Sequence, residues 1–423
     1  MALVTDAGIG LDPLPRTEFV EKFLAAFEAV EGEEILPLQE CAGRVLARDM
    51  VSRYQLPSGK SAQGDSVAMR YEAFADGMPS DEVTATWVEG VDWVRADMGD
   101  DFPDEFNCTT HVEGVEFLED GGIRLVDDPP SIMGPDKIKQ PGSTMQVGDP
   151  VLPAGTVLTA RTMAYLASVG HTVIPVRRKI RIAFIPTGSE LVSAGEVLQR
   201  GKIADSNSFM IRQLILDAGA EPIMFPIVSD SKAALTDALA RAREAVDLVL
   251  INGGSSKGSE DFNAALLADG ATFYQHGVLL RPARVAAASV IDGKPHVNLP
   301  GPTMAAFVVW QWLVRYAIAK LQGKPAFARA KVKAVLAAPK QPTGHGPKGP
   351  KDNKGPKESK DSKGPERHPN EEFMRFFTLS VEDGRYVANP GSMGAGMMQC
   401  DALAIVDKAN APKPGDEIEV ELI

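Results

Sequence analysis

Phe19, Phe23, Phe27 and Val30 recur at steps of three and four within TEFVEKFLAAFEAV. That spacing keeps one helix face apolar and predicts an amphipathic helix, with Thr17 as its N-cap. EEILPLQECAGRVLARDM then reads as a strand and a short helix. From Val51 to about Gly142 the texture changes to short alternating stretches, VTATWVEGVDWV and GIRLV, between Gly, Pro and Asp punctuation. Alternation with that punctuation predicts a small β-rich domain. GDPVLPAGTVLTARTMAYLASVGHTVIPV follows as strand, turn, strand and short helix.

From Lys179 the pattern is α/β. IRIAFIP, PIMFPIV and DLVLIN read as strands, alternating with helices over SFMIRQLILDAGA and KAALTDALARAREA. Strands and helices of these lengths predict a parallel sheet covered on its faces, with ligands at the carboxyl ends of the strands. MAAFVVWQWLVRYAIA is interrupted by Gln311 and Arg315 and reads as a buried helix rather than a membrane span. The regular pattern stops near Pro339. Lysines then fall at 348, 351, 354, 357, 360 and 363 in a Gly/Pro-rich run. A polyproline helix would align them on one edge. The run reads as a solvated insertion, or as a docking strip for an acidic protein partner. FMRFFTLSVEDGRYVANPG and the last twenty residues read as a small β domain.

The expected architecture is therefore multidomain α/β plus β. A helical linker covers 1–50 and 142–178, a β-rich arm 51–141, a parallel-sheet α/β domain 179–328, and a C-terminal small β domain 329–423 with the insertion at 340–369. A chain of 423 residues exceeds one hydrophobic core, in keeping with several domains. The net charge of −13 argues against a general nucleic-acid or membrane partner, so any anionic ligand must be gripped locally. Cys41, Cys108 and Cys400 show neither metal spacing nor a disulfide framework and fit a reducing cytoplasm.

The polar residues collect after the predicted strands. PTGSEL offers backbone N–H groups at Thr187 and Gly188 toward an anion, and Glu190 as metal ligand or base. DSN, Asp205 to Asn207, and VSD, ending in Asp230, are site candidates that also read as helix caps. INGGSSKGSEDF carries Gly253, Gly254 and Gly258, with Ser255 and Ser256, a composition that lets N–H groups approach a phosphate. Asp261 would repel bare phosphate but fits one bridged by a divalent cation. Mg²⁺ is usually held by one or two carboxylates plus phosphate oxygens, which makes Glu190, Asp230 and Asp261 its candidate ligands. Arg281 and Arg284 in LLRPARVA read either as a bidentate clamp on an oxyanion or as surface charge.

In this order the motifs resemble the molybdopterin molybdenumtransferase family. The likeness runs through LPLQECAGRVLARDMVS, DPVLPAGTVLT, LASVG, PTGSELV, DSNSFMI, IVSD, INGGSSKGSEDF and LPG, almost the whole chain. It implies a pterin site on the α/β domain and an elongated homodimer whose clefts pair that domain with the partner's arm. The implied reaction is Mg²⁺-dependent: molybdate or tungstate joins the dithiolene of adenylated molybdopterin and AMP leaves. By the same resemblance, Pro300, Gly301 and Arg375 join the binding residues. In the arm, SAQGDSVAMR carries one residue more than the family's S-A-M-D-G-Y-A-V-R, which puts the catalytic aspartate on Asp65 or loses it at Gly64.

Several family positions differ. K-P-G-K-P is RPARV here, with arginines for lysines and Ala283 for glycine; L-P-G-N-P-x-S ends in Ala305; Met98 replaces a threonine, Thr144 an acidic residue and Ala395 a serine. Each lost donor to an oxyanion costs about 1 kcal/mol. The pterin half is thus better kept than the metal-inserting half. The alternative those replacements raise is a non-catalytic carrier or scaffold that binds molybdopterin or the finished cofactor.

Overall fold

IRIAFIP becomes the strand Arg181–Pro186, buried from its second residue onward. DLVLIN becomes Leu248–Asn252, buried throughout. Such unbroken apolar runs are what strands covered on both faces require. In this computed structural model, which describes residues 11–126, 131–253, 262–338, 368, 370–391, 399–407 and 410–423, the two strands are the centre of a six-stranded sheet. The order is Glu221–Met224, Arg181–Pro186, Leu248–Asn252, Lys294–Leu299, Ala287–Ile291, Phe273–His276. The first four are parallel, Ala287–Ile291 runs against them, and Phe273–His276 pairs antiparallel with it in turn. Register places Pro186 opposite Asn252, and Asn252 opposite Leu299. Three strands therefore finish side by side.

Alternation along these strands feeds two cores. Ile182, Phe184, Leu248 and Leu250 face one cluster with Phe19, Phe23, Ile211 and Ile215. Ala183, Ile185, Val249 and Ile251 face the other, under Leu235-side residues Ala238, Leu239 and Ala242 of the helix Lys232–Ala245. The helix running from Thr303 to Leu321 has 72% of its apolar window buried. Trp310 and Trp312 lie within the first core, Trp312 meeting Phe19 edge-on at 5.3 Å.

Five further strands, Lys331–Leu336, Glu372–Glu382, Arg385–Pro390, Ala402–Asp407 and Glu417–Leu422, close a circuit of pairings, so the C-terminal part is barrel-like. Glu382 pairs with Arg385 across Asp383-Gly384, both at positive φ, the two-residue turn whose twist suits a hairpin. The short strand Leu280–Arg281 adds to this sheet, parallel to Glu372 and Phe373.

The chain divides into two compact units, Met1–Gly32 with Arg178–Ile423, and Glu33–Arg177. The second contains a three-stranded sheet centred on Ser66–Met69, whose four residues are buried, and the antiparallel pair Glu33–Pro37 with Val173–Arg177. Its helix Ala160–Ser168 starts with a Thr159–Thr162 capping box.

Two expectations fail locally. Thr17 is not a cap: the helix is Arg16–Ala25, preceded by Pro15, whose φ of −52° already suits the entry. The stretch around Val83 is no strand. Asp81–Thr84 is a helical turn, Thr86 bonds back to the Val83 carbonyl, and Val83 and Val88 are exposed. Local hydroxyl-to-backbone bonds won there, because no core lay beneath the alternating valines.

Candidate active site

Just past the strand ends Pro186, Asn252 and Leu299, the loops are stitched together by buried side chains. Asn207 donates its amide to the Asn252 side-chain oxygen at 2.7 Å and to the Gly301 carbonyl at 2.8 Å. Asn252 in turn donates to the carbonyls of Leu299 and Pro300 at 3.3 and 2.8 Å. Gly253 takes up φ of +127°, and a Cβ there would lie 2.3 Å from the Thr187 carbonyl oxygen. Only glycine permits that approach. Thus Thr187, Asn207, Gly253, Pro300 and Gly301 meet in one place. Asn207 Oδ1 is left buried without a partner among the described residues.

Two carboxylates stand at the same end. The N–H of Ser189 donates to Asp230 at 2.8 Å, and the N–H of Asp230 donates to the Ser189 hydroxyl at 3.3 Å. Glu190 is exposed and folds over Gly188, its carboxylate 2.7 Å from where a Cβ would sit. Lys202, absent from the sequence-based candidates, donates to the Ser189 carbonyl at 2.8 Å and brings a cation beside them. It stands alone before a two-residue strand, which is why spacing gave no signal for it.

The N–H groups of Thr187 and Gly188 do not face an anion. They donate to the carbonyls of Asn252 and Val228 at 2.8 and 3.1 Å, because β pairing continues past the strand end as the Thr187–Val228 bridge. Asp205 is a cap: it is buried and accepts from the Ser208 N–H at 3.0 Å and from the Ser208 hydroxyl. Ser206 remains exposed, with its hydroxyl 3.3 Å from that of Thr303. Asp230 is not a cap, since the next helix begins after Ser231 without a side-chain bond. Gly254, Ser255, Ser256, Gly258, Asp261 and Ala395 lie outside the described residues, as does most of the lysine strip.

The arginines occupy a separate feature of the same unit. Arg281 and Arg375 line a cavity of 480 Å³ with Pro282, Met304, Phe373 and Phe377 among its walls. Ala283 and Ala305 are buried close by in sequence. Neither loop arginine is free to clamp an oxyanion from both edges. Arg281 Nε lies 2.9 Å and Arg284 Nη1 3.9 Å from Glu371, a carboxylate with no exposure. The N–H directions miss the oxygens, so charge rather than aligned hydrogen bonding holds these pairs. Sequence reading missed Glu371 because it stands ninety residues from Arg281.

Asp65 belongs to the other compact unit, where its carboxylate accepts from the Met98 N–H at 3.0 Å. The Thr144 N–H donates to the Leu56 carbonyl at 2.9 Å in that unit too.

Known proteins resemble both units. Residues 183–320 match the family described as a probable molybdopterin binding domain, and residues 14–170 match the MoeA N-terminal region, domains I and II. A molybdopterin molybdenumtransferase of Haemophilus influenzae is 29% identical over 299 residues, covering 69% of this chain and 73% of the relative. Another, from Nostoc, is 28% identical over 312 residues, covering 70% and 71%. The crystal structure of a molybdopterin biosynthesis moeA protein from Pyrococcus horikoshii OT3 superposes with a TM-score of 0.71 at 23% identity, over 97% of this chain and 100% of that one. At that identity the likeness concerns the fold.

Proposed function

The chain belongs to the molybdopterin molybdenumtransferase family, enzymes of molybdenum cofactor biosynthesis, and on that premise we propose that it inserts molybdate or tungstate into adenylated molybdopterin and releases AMP. The observation that carries this reading is the Asn207–Asn252–Gly301 network, which fastens three strand-end loops into one anchored rim. The glycine-serine loop that follows Gly253 in sequence grips the pterin phosphate.

Glu190 and Asp230 supply hard oxygen donors here, exposed and half-exposed respectively, and Asp261 adds a third from the adjoining loop. Such donors fit Mg²⁺ alongside phosphate oxygens. Held by those carboxylates, such an ion would supply positive charge against that of the phosphoanhydride. The Ser189 N–H fixes one oxygen of Asp230 and leaves the other for a ligand. Lys202 offsets part of the charge that Glu190 and Asp230 place together. The Arg281–Arg375 cavity receives the tetrahedral oxyanion. Two of its oxygens leave as water when the dithiolene sulfurs bind, taking the two thiol protons and two more from solvent; the phosphoanhydride is cleaved by hydrolysis, and no electrons change hands. Asp65 of a second copy completes the cleft, so the working form is a homodimer.

The test is to mix the purified protein with adenylated molybdopterin, Mg²⁺ and either oxyanion and to measure AMP by chromatography. Oxyanion-dependent AMP is the expected result. Tight pterin binding with no AMP under either oxyanion would overturn the reading in favour of a carrier.

A further inference from the structure

Glu371 has no exposure, yet it sits at the head of the strand Glu372–Glu382 that also bears Arg375. A buried carboxylate persists only where its charge is compensated. The compensation comes from Arg281 and Arg284, on the loop that the sequence marks as an anion clamp. The neighbouring Glu372 is occupied differently, accepting from Arg16 Nε at 3.0 Å. Glu371 approaches Arg281 at Nε, and Arg281 also lines the cavity. Arg375 lines the same cavity, is exposed and makes no ion pair among the described residues.

We propose that Glu371 is a specificity-determining positioning residue of this cavity. It cancels one of the two loop charges and holds Arg281 at Nε. An entering dianion then meets Arg375 and an Arg281 already paired, not a free pair of loop arginines. This rests on the reading of the cavity as the oxyanion site. The consequence is a cavity whose preference for a dianion over a monoanion is held down by a fixed internal carboxylate. That is a way to release the leaving oxygens and product instead of trapping the substrate.

The test uses sulfate and perchlorate, tetrahedral probes of charge two and one, with dissociation constants measured by calorimetry on the full chain. Glu371→Gln removes the charge and keeps the shape. Glu371→Met removes it with different packing, and Glu371→Asp keeps it. Loss of a unit charge buried behind the cavity's arginine shifts dianion-over-monoanion preference by about tenfold or more. The expected result is that shift toward sulfate in both neutral variants, and a ratio within about twofold of the parent in the aspartate variant. A folded neutral variant with the parent's ratio, or an aspartate variant that shifts as far as the neutral ones, overturns the proposal. Arg375→Ala separates the premise: sulfate binding should be lost, and unchanged sulfate binding there would remove the cavity reading itself, whatever Glu371 does.

Discussion

The side-chain amide of Asn207 donates to the side-chain oxygen of Asn252 across 2.7 Å, and both residues are buried. Each amide also reaches backbone carbonyls beyond the last strand. Asn252→Ala would remove the Asn207 amide's side-chain acceptor and the Pro300 carbonyl's side-chain donor, leaving Asn207 its bond to Gly301 and the Leu299 carbonyl its bond from the Gly253 N–H. The expected loss is about 2–4 kcal/mol in urea unfolding, with AMP release falling at least tenfold as the loops part. Asn252→Asp keeps an acceptor toward Asn207 but not the donor. Its buried carboxylate would face the Leu299 and Pro300 carbonyls, so it is expected to lose at least as much stability as alanine.

Gly253 and Gly188 separate two kinds of constraint. At Gly253 an added methyl meets backbone, at 2.3 Å from the Thr187 carbonyl oxygen. Gly253→Ala is therefore expected to lower the melting temperature clearly and to abolish pterin binding. At Gly188, whose φ is +153°, the added methyl first meets the end of the Glu190 side chain rather than backbone. Gly188→Ala should cost less stability while raising the Mg²⁺ concentration needed for half-maximal turnover. Equal melting temperatures in the two variants would contradict this distinction.

The metal assignment is checked by neutral isosteres. Asp230→Asn can still accept the Ser189 N–H, so its fold is expected to hold while its Mg²⁺ requirement rises about tenfold or more. Asp261→Asn is expected to abolish Mg²⁺-dependent turnover with unchanged circular dichroism. Full turnover in the latter variant would remove Asp261 from the site.

A cleft shared between copies predicts complementation. Asp65→Asn and Asp261→Asn should each be inactive alone. Refolded together, they should recover about a quarter of parental AMP release, because half the dimers are mixed and each mixed dimer has one intact cleft. No recovery would mean that both residues serve the same chain's cleft.

Acid should destabilise the chain through His296. Burial pushes its pKa from 6.5 down to about 4, although the hydrogen bond to the Lys294 carbonyl works the other way. The folded value lies below the unfolded one, so on acidification the unfolded chain takes up the proton first. This contribution is fully present above about pH 6.5 and is lost as pH falls toward 4, a span of about 3 kcal/mol. Urea titrations between pH 7 and 4.5 are expected to show a shallower decline in His296→Gln. At lower pH Asp247 acts in the same direction. Burial alone would raise its pKa, but Arg178, the Arg181 N–H and nearby Lys294 hold it below the usual carboxylate range.

What the sequence disclosed follows the range of the interactions. Strands such as Leu248–Asn252 announce themselves because every residue is buried, and the helix Lys232–Ala245 because its apolar positions repeat with its own turn. The site is harder to read. Thr187 and Gly188 look like anion donors until β pairing with Asn252 and Val228 is seen to use them. Asn252 looks like an ordinary strand-end residue until Asn207 arrives from a different loop. Arg281 and Arg284 look like a ligand clamp until Glu371 arrives from the C-terminal sheet. In each case the deciding partner lies between 40 and 90 positions away, beyond any local pattern.

The two-residue strand Leu280–Arg281, laid against Glu372 and Phe373, has a lineage-level consequence. A gene fragment spanning only the pterin-type segment would inherit the fastened rim and its glycine loop as a portable cassette. The arginine-walled hollow could not travel with it, since most of its lining is encoded after the insertion. Any descendant built from the cassette alone would have to evolve a new wall before it could hold a second anion.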